Sequence, residues 1–441
     1  MQLRPSSLIQ ASLISSRVAF LLTAVLMFAG AAFAATETVV YSFQGSPDGA
    51  SPQASLVADS AGNLYGTTKL GGSSYGTVFE LSPPATSGGA WTESILYAFQ
   101  NAPNDGAFPI GTLVFDKQGN LYGTTQQGGL GGAGTGTIFE LTPPATTGGA
   151  WTETILWTFP PDLLKGYAPA GKLEMDAAGN LYGTTQFGGA NVNACTACGV
   201  VFELIKPKTS GQSWSERVLY NFGTVANDGM TPAPDVLLRG GVLYGTTQSG
   251  GTAKSGTIFQ LTPKSGFWTE TILHNFIDSE GIVPLGGLVA DASGNLFGTT
   301  TAGGNRSICS CGTVYELSPP AVSGRTWQEK TLYAFVGLTD GSRPFGSLWL
   351  DSRGNLYGTA TIRGIKHFEG FGTVFKLNAP AVSGGAWTLS VLHDFGGFGA
   401  GDGVFPLGGV ILLNGSFCGT AMSGGTGSGS NGSGVVFSVT P

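Results

Sequence analysis

Long stretches free of glycine and proline, which a helical domain needs, are missing from this sequence beyond its first forty residues. The 441 residues hold 73 Gly and 23 Pro. No collagen period organises the glycines, so the excess points to short strands joined by tight turns. Charge is scarce too, at 11% of residues, while 41% are hydrophobic, which excludes a disordered chain and supplies a substantial core. With 20 basic against 27 acidic residues there is no basic stripe for a phosphate backbone, and nucleic acid is disfavoured as a partner. Three histidines and no HExxH leave hydrolytic or metal catalysis without its usual groups. No catalytic residue, metal ligand or cofactor is therefore assigned.

The first 34 residues read differently. Arg4 and Arg17 precede an apolar run over 18–34 that ends in Ala32-Phe33-Ala34, the pattern of a cleaved secretory signal. An uncleaved membrane anchor is the competing reading, because the run barely reaches spanning length. The expected division is a signal peptide over 1–34 and a repeat domain over 35–441, with no membrane span in the processed chain. Loss of Arg4 and Arg17 leaves 18 basic and 27 acidic residues, a formal charge of −9. The expected location is periplasmic, secreted or at the cell surface.

What the remainder does contain is one sentence repeated. The string DKQGNLYGTT over 116–125 returns with its LYGT core at Leu64, Leu121, Leu181, Leu243, Leu296, Leu356 and, degraded to SFCGT, Phe417. The steps are 57, 60, 62, 53, 60 and 61 residues, so a repeat architecture is the first inference. Each unit carries four strand-like runs separated by turn residues; in the second these are A over 111–116, B over 121–125, C over 137–141 and D over 151–159. Seven such units predict an all-β, seven-bladed β-propeller of four-stranded blades. The ends test the idea. TETVVYSF over 36–43 is strand D text, while VVFSVT over 435–440 is strand C text with no strand D after it. The N-terminal strand is expected to complete the C-terminal blade and shut the ring, removing an open sheet edge.

Most recurring polar residues have framework readings. Asp59, Asp116, Asp176, Asp291 and Asp351 precede Gly-Asn in A-to-B turns, where an Asp accepts backbone N–H bonds. A calcium cage would need several carboxylates together, and here they come singly. Asp48, Asp105, Asp228, Asp340 and Asp402 recur in similar turns of the D-to-A connection and have the same framework reading, with a ring of acids round one channel mouth that attracts a cation as the alternative. Trp91, Trp151, Trp214, Trp268, Trp327 and Trp387 open strand D and suit blade-to-blade packing, with sugar stacking as the alternative. His274 and His393 stand where Tyr97 and Tyr333 stand in other units, as framework residues.

The word order LYGTT, GG, GTVFEL, a Pro-rich loop and WTE resembles the GloVer tandem repeat of exported bacterial proteins, over nearly all of 36–441. The resemblance implies an exported propeller with no established activity, often followed by a surface-anchoring segment. Here the text stops at Pro441 with no apolar tail, which favours a soluble product. GSSYG over 72–76 and GLGGAG over 129–134 imitate a nucleophile elbow and a dinucleotide loop. Neither is followed by a helix, and both are chance hits in a glycine-rich chain.

The cysteines fall as Cys195-x-x-Cys198, Cys309-x-Cys311 and a lone Cys418. Local disulfides within loops are the first reading, a shared four-Cys zinc site the alternative, and Cys418 a buried free thiol. Loops linking C to D hardly change, whereas those linking B to C vary, and in an up-and-down blade B-to-C and D-to-A loops share one face. Residues that break the symmetry are candidates for ligand binding: Arg363, Lys366, His367, Phe368 and Glu369, then Asn305 and Arg306. The sequence thus points to an exported, monomeric, non-catalytic binding or envelope-associated scaffold for a glycan or protein. The alternatives are a propeller enzyme acting on polysaccharide or a small lactone, and a purely structural envelope protein.

Overall fold

The computed structural model describes residues 35–441 apart from 87, 130–133, 147, 191–197, 210, 323, 338, 363–369, 383, 399–400 and 428–430. In the second repeat, strand C (Thr137–Thr142) lies between strand B (Leu121–Thr125) and strand D (Thr152–Thr158), with strand A (Val114–Phe115) beyond B. This antiparallel order recurs in seven sheets arranged as the blades of a β-propeller, and the described residues contain no helix. No described helix could therefore cross a membrane.

The glycine of LYGT is set by what lies across the sheet. Gly123 pairs directly with Phe139 of strand C, and a Cβ on Gly123 would come within 2.6 Å of the Phe139 ring. The ring lies over the bare backbone instead, and Gly66 under Phe79 and Gly358 under Phe375 repeat the arrangement. Each of these aromatics also receives a phenylalanine from the preceding blade. The pairs Phe43–Phe79, Phe99–Phe139, Phe159–Phe202 and Phe222–Phe259 have centroids 5.0 to 5.4 Å apart in edge-to-face geometry. The core is thus seven clusters, each lying between two blades rather than within one.

The closing blade joins the two ends of the described chain. Strand D is Thr36–Ser42, strand C is Val435–Thr440, and they pair in register from Thr36↔Thr440 to Ser42↔Val435 with one bulge. Phe43 then donates its N–H to the Gly434 carbonyl at 3.0 Å. In this blade too, Ser416–Ala421 and Ile411–Leu413 supply B and A.

Strand A is shorter than the sequence suggests: in the second blade two residues pair rather than the six expected. The residues before them turn toward the neighbouring blade. Thr67 donates its hydroxyl to the Gly111 carbonyl at 3.2 Å, and Thr124 does the same to Gly171. These contacts replace the sheet ladder on the inner edge.

The framework readings of the turn aspartates and the tryptophans hold where the residues are described. Asp116 accepts the N–H groups of Gln118 and Asn120, the Asn120 amide and the Tyr122 hydroxyl at 2.8 to 3.1 Å, while Gly119 takes φ 86°. Its oxygens are occupied, as are those of Asp59, Asp176 and Asp351. Trp151, Trp214, Trp268 and Trp327 pack 6.3 to 6.5 Å from Tyr65, Tyr122, Tyr182 and Tyr244 of the blade before. Cys309 and Cys311 form a disulfide with Cα atoms 5.3 Å apart, and Cys418 is a buried free thiol. Cys198 is disulfide-bonded, and Cys195 lies outside the described residues.

Candidate functional site

All seven blades contribute to a central cavity of about 360 Å³. Two short segments reach it: the start of strand A from every blade, and the residue directly after the GTT of strand B from the first four. A residue with positive φ followed by Pro sets the first segment in place. Ser51, Phe108, Ala168, Thr231, Val283, Arg343 and Phe405 all have φ between 54 and 60°. Their N–H groups bond to the preceding blade, as Phe108 does to the Tyr75 carbonyl at 2.8 Å and Arg343 to Cys311 at 2.8 Å. A strained backbone repeated in every blade is paid for by that inter-blade bond.

The second segment gives the channel an asymmetry. After GTT come Lys69, Gln126, Gln186 and Gln248 in the first four blades, and all four line the cavity. In the next two blades Thr301 and Thr361 take this place, their hydroxyls donated to the carbonyls of Val283 and Pro406 at 3.1 Å. Met422 follows in the last, 3.4 Å from the Gln53 amide. Gln126, Gln186 and Gln248 are half-buried, and among the described residues no protein group bonds their side-chain amides. Leu285, Phe345 and Leu407 line the remaining arc. One side of the channel therefore offers unpartnered amides and an ammonium; the other offers an apolar surface.

Asp235 and Lys69 are the ionisable residues lining the cavity. Asp235 accepts the Lys172 N–H at 2.8 Å with one oxygen and the Ser347 hydroxyl at 3.0 Å with the other, tying the fourth blade to the third and sixth. Backbones meet closely around it, since a Cβ on Gly171 would overlap the Pro234 carbonyl and one on Gly346 would lie 2.4 Å from the Gly409 nitrogen. The channel is constricted at that level.

The D-to-A acids do not line the cavity; they sit between the outer strands of neighbouring blades. Asp48 accepts the Tyr41 hydroxyl at 3.1 Å and the Gln44 N–H at 2.8 Å, and Glu93 of the next blade faces the pair. Burial first, and then Asp48, push the Glu93 carboxyl up to about 7. Glu153 beside Asp105, and Glu270 beside Asp228, are pushed to about 7 for the same two reasons. One interface has a lysine in this role, with Lys165 Nζ 2.7 Å from Glu216.

Of the residues singled out for ligand binding, Arg363, Lys366, His367, Phe368 and Glu369 lie outside the described residues. Arg306 is exposed, but its guanidinium grips Asp278 at 2.6 Å and so pins its loop to the preceding connection. Asn305 caps its own turn, accepting the Ser307 N–H at 3.2 Å. Neither faces the channel. The channel glutamines went unnoticed in the sequence, although their place directly after each GTT was the signal that could have found them.

Seven four-stranded blades around a channel that every blade lines define a β-propeller repeat protein. The chain belongs to the Gloeobacter/Verrucomicrobia repeat family, whose sequence profile matches residues 27–173 and 136–367. Among curated proteins none matches the chain. Solved structures are similar in trace at low identity. The extracellular domain of BT4673 from B. thetaiotaomicron is 10% identical with a TM-score of 0.48, over 90% of this chain and 40% of that one. The Penicillium chrysogenum alpha-L-arabinanase complexed with arabinobiose is 12% identical with a TM-score of 0.42, over 92% and 98%. A Dyadobacter fermentans protein of unknown function is 14% identical with a TM-score of 0.41, over 80% and 96%. The chain thus spans less than half the length of the BT4673 domain.

Proposed function

We propose that this protein is an exported, non-catalytic binding scaffold whose channel mouth takes a glycan. The observation that carries the reading is the arc of unpartnered amides at Gln126, Gln186 and Gln248 opposite Phe345. Sugars present hydroxyls to amides and a C–H face to an aromatic ring, so a channel polar on one side and apolar on the other suits them. Export rests on the apolar run over 18–34 and its A-x-A end. Against the polysaccharide-cleaving alternative, a glycosidase needs two carboxylates with separate roles. The described lining offers Asp235, and both of its oxygens are engaged.

The test is a glycan array probed with the chain from residue 35 onward, followed by titration of the retained glycan. Alanine at Gln126, Gln186 and Gln248 together is expected to weaken binding about a hundredfold, at roughly 1 kcal/mol per lost hydrogen bond. Alanine at His367, Phe368 and Glu369 reports separately on the variable loop. An array with no retained glycan, or cleavage of the retained one, would overturn the reading.

A further inference from the structure

We infer that two of the blade interfaces are divalent-metal sites of the zinc class, each built from one histidine and two carboxylates. In one, His274 closes on Glu280 and on Glu329 of the next blade. In the other, His393 closes on Asp402 and on Glu37 of the closing strand. Within each group the donor atoms all lie within 4.8 Å of one another, and among the described residues these are the groups of three that do so.

The two sites are variants of one repeated device. At other interfaces a tyrosine of strand D donates to the connecting acid, as Tyr220 does to Asp228 at 3.1 Å and Tyr333 to Asp340 at 2.8 Å. A phenol there is a hydrogen-bond donor and leaves the acids without a nitrogen ligand. His274 and His393 replace that phenol with an imidazole nitrogen 2.9 Å from Glu280 and 3.1 Å from Asp402. The third donor then arrives from the following blade; in the second site the Glu37 Oε1 is buried and accepts no hydrogen bond among the described residues, as at Glu93, Glu153 and Glu270, but here an imidazole stands beside it. One imidazole nitrogen and two carboxylate oxygens at this spacing suit a zinc-sized ion, whose N and O ligands sit at about 2.0 to 2.2 Å and which commonly keeps a water in the fourth place. From sequence alone the histidines read as framework residues, because Glu37 and His393 stand at opposite ends of the chain.

The second site has a structural consequence. Glu37 belongs to the strand Thr36–Ser42, which shuts the ring, whereas His393 and Asp402 belong to the blade before and its outgoing connection. A bound ion therefore latches the closing strand to the neighbouring blade.

Zinc chloride titrated into chelator-treated chain, kept oxidised so that cysteines do not compete, tests this by calorimetry and by elemental analysis after buffer exchange. About two equivalents are expected, falling to about one in His274→Tyr or His393→Tyr and to none in the double variant. Tyrosine is what other blades carry at this position, so the variants keep the hydrogen bond to the acid; circular dichroism checks that they fold. Zinc is also expected to slow amide hydrogen exchange over 36–42 in the wild type and not in His393→Tyr. No zinc retained by the wild type, or equal retention by the double variant, overturns the assignment.

Discussion

Tyr315 stands in strand C where six blades have phenylalanine, and its hydroxyl is fully buried without a partner among the described residues. Burial drives the phenol far above its ordinary value of 10, so it stays neutral yet still lacks an acceptor. Tyr315→Phe restores the residue the other blades use and is expected to stabilise the chain by about 1 kcal/mol, read from urea unfolding. A loss of stability would mean that the hydroxyl bonds an ordered water. At this scale the sequence was legible wherever a residue answers a local need. Asp116 in its turn and Cys309 bonded to Cys311 follow from neighbours a few residues away, whereas the demand on Gly123 comes from Phe139 across the sheet and was seen only in the structure. Gln126 and Gln186 were marked only by their place after GTT, because alternation along a strand separates two faces and does not say which end meets a channel.

Strand D is the element that couples blades, and its Trp-Thr-Glu opening does so with two different side chains. The tryptophan packs on a tyrosine of the blade before, while the glutamate meets the acid of the incoming connection. That second contact gives the stability a pH dependence. Glu93, Glu153 and Glu270 have carboxyls held at about 7 by burial and by their partner aspartates, against an ordinary 4.5. A raised carboxyl binds its proton more tightly folded than unfolded, so its stabilisation is full below 4.5 and is lost as pH rises through 7. Asp351 is displaced the other way, its four hydrogen bonds outweighing burial, and so opposes very acid conditions. The thermal midpoint is therefore expected to fall between pH about 5 and about 8, and a Glu93, Glu153 and Glu270 to Gln triple variant should flatten that slope. A wild-type midpoint rising over the same interval would contradict the acid pairing.

For the whole molecule, closure rests on eight residues at the start of the repeat domain. Val40, Tyr41 and Phe43 pack into the seam between the last and first blades and Val39 into the seam between the sixth and last, and Phe43 is completely buried. A fully buried side chain contributes about 1.5 to 3 kcal/mol and the half-buried Val39, Val40 and Tyr41 a part of that each, so their sum is a sizeable share of the ~5 to 15 kcal/mol net stability of a typical domain. Deleting 36–43 is expected to give a chain that aggregates or melts early, since Val435–Thr440 would become an open sheet edge. Unchanged calorimetric unfolding of the deletion would refute the closing role.

The sequence by itself determined the architecture: seven blades, four strands in each, and a closing strand borrowed from the other end of the repeat domain. It could do so because strand alternation, turn glycines and cross-strand pairs are short-range demands, and writing them seven times over made a weak local signal unambiguous. Only the tertiary structure decided which side chains share a space. Gln126 and Phe345 line one channel, and Glu37 reaches His393, because the twist of each blade and its tilt against the next bring them together. Those angles come from packing between blades, where the contacting residues are tens to hundreds of positions apart and carry no common word.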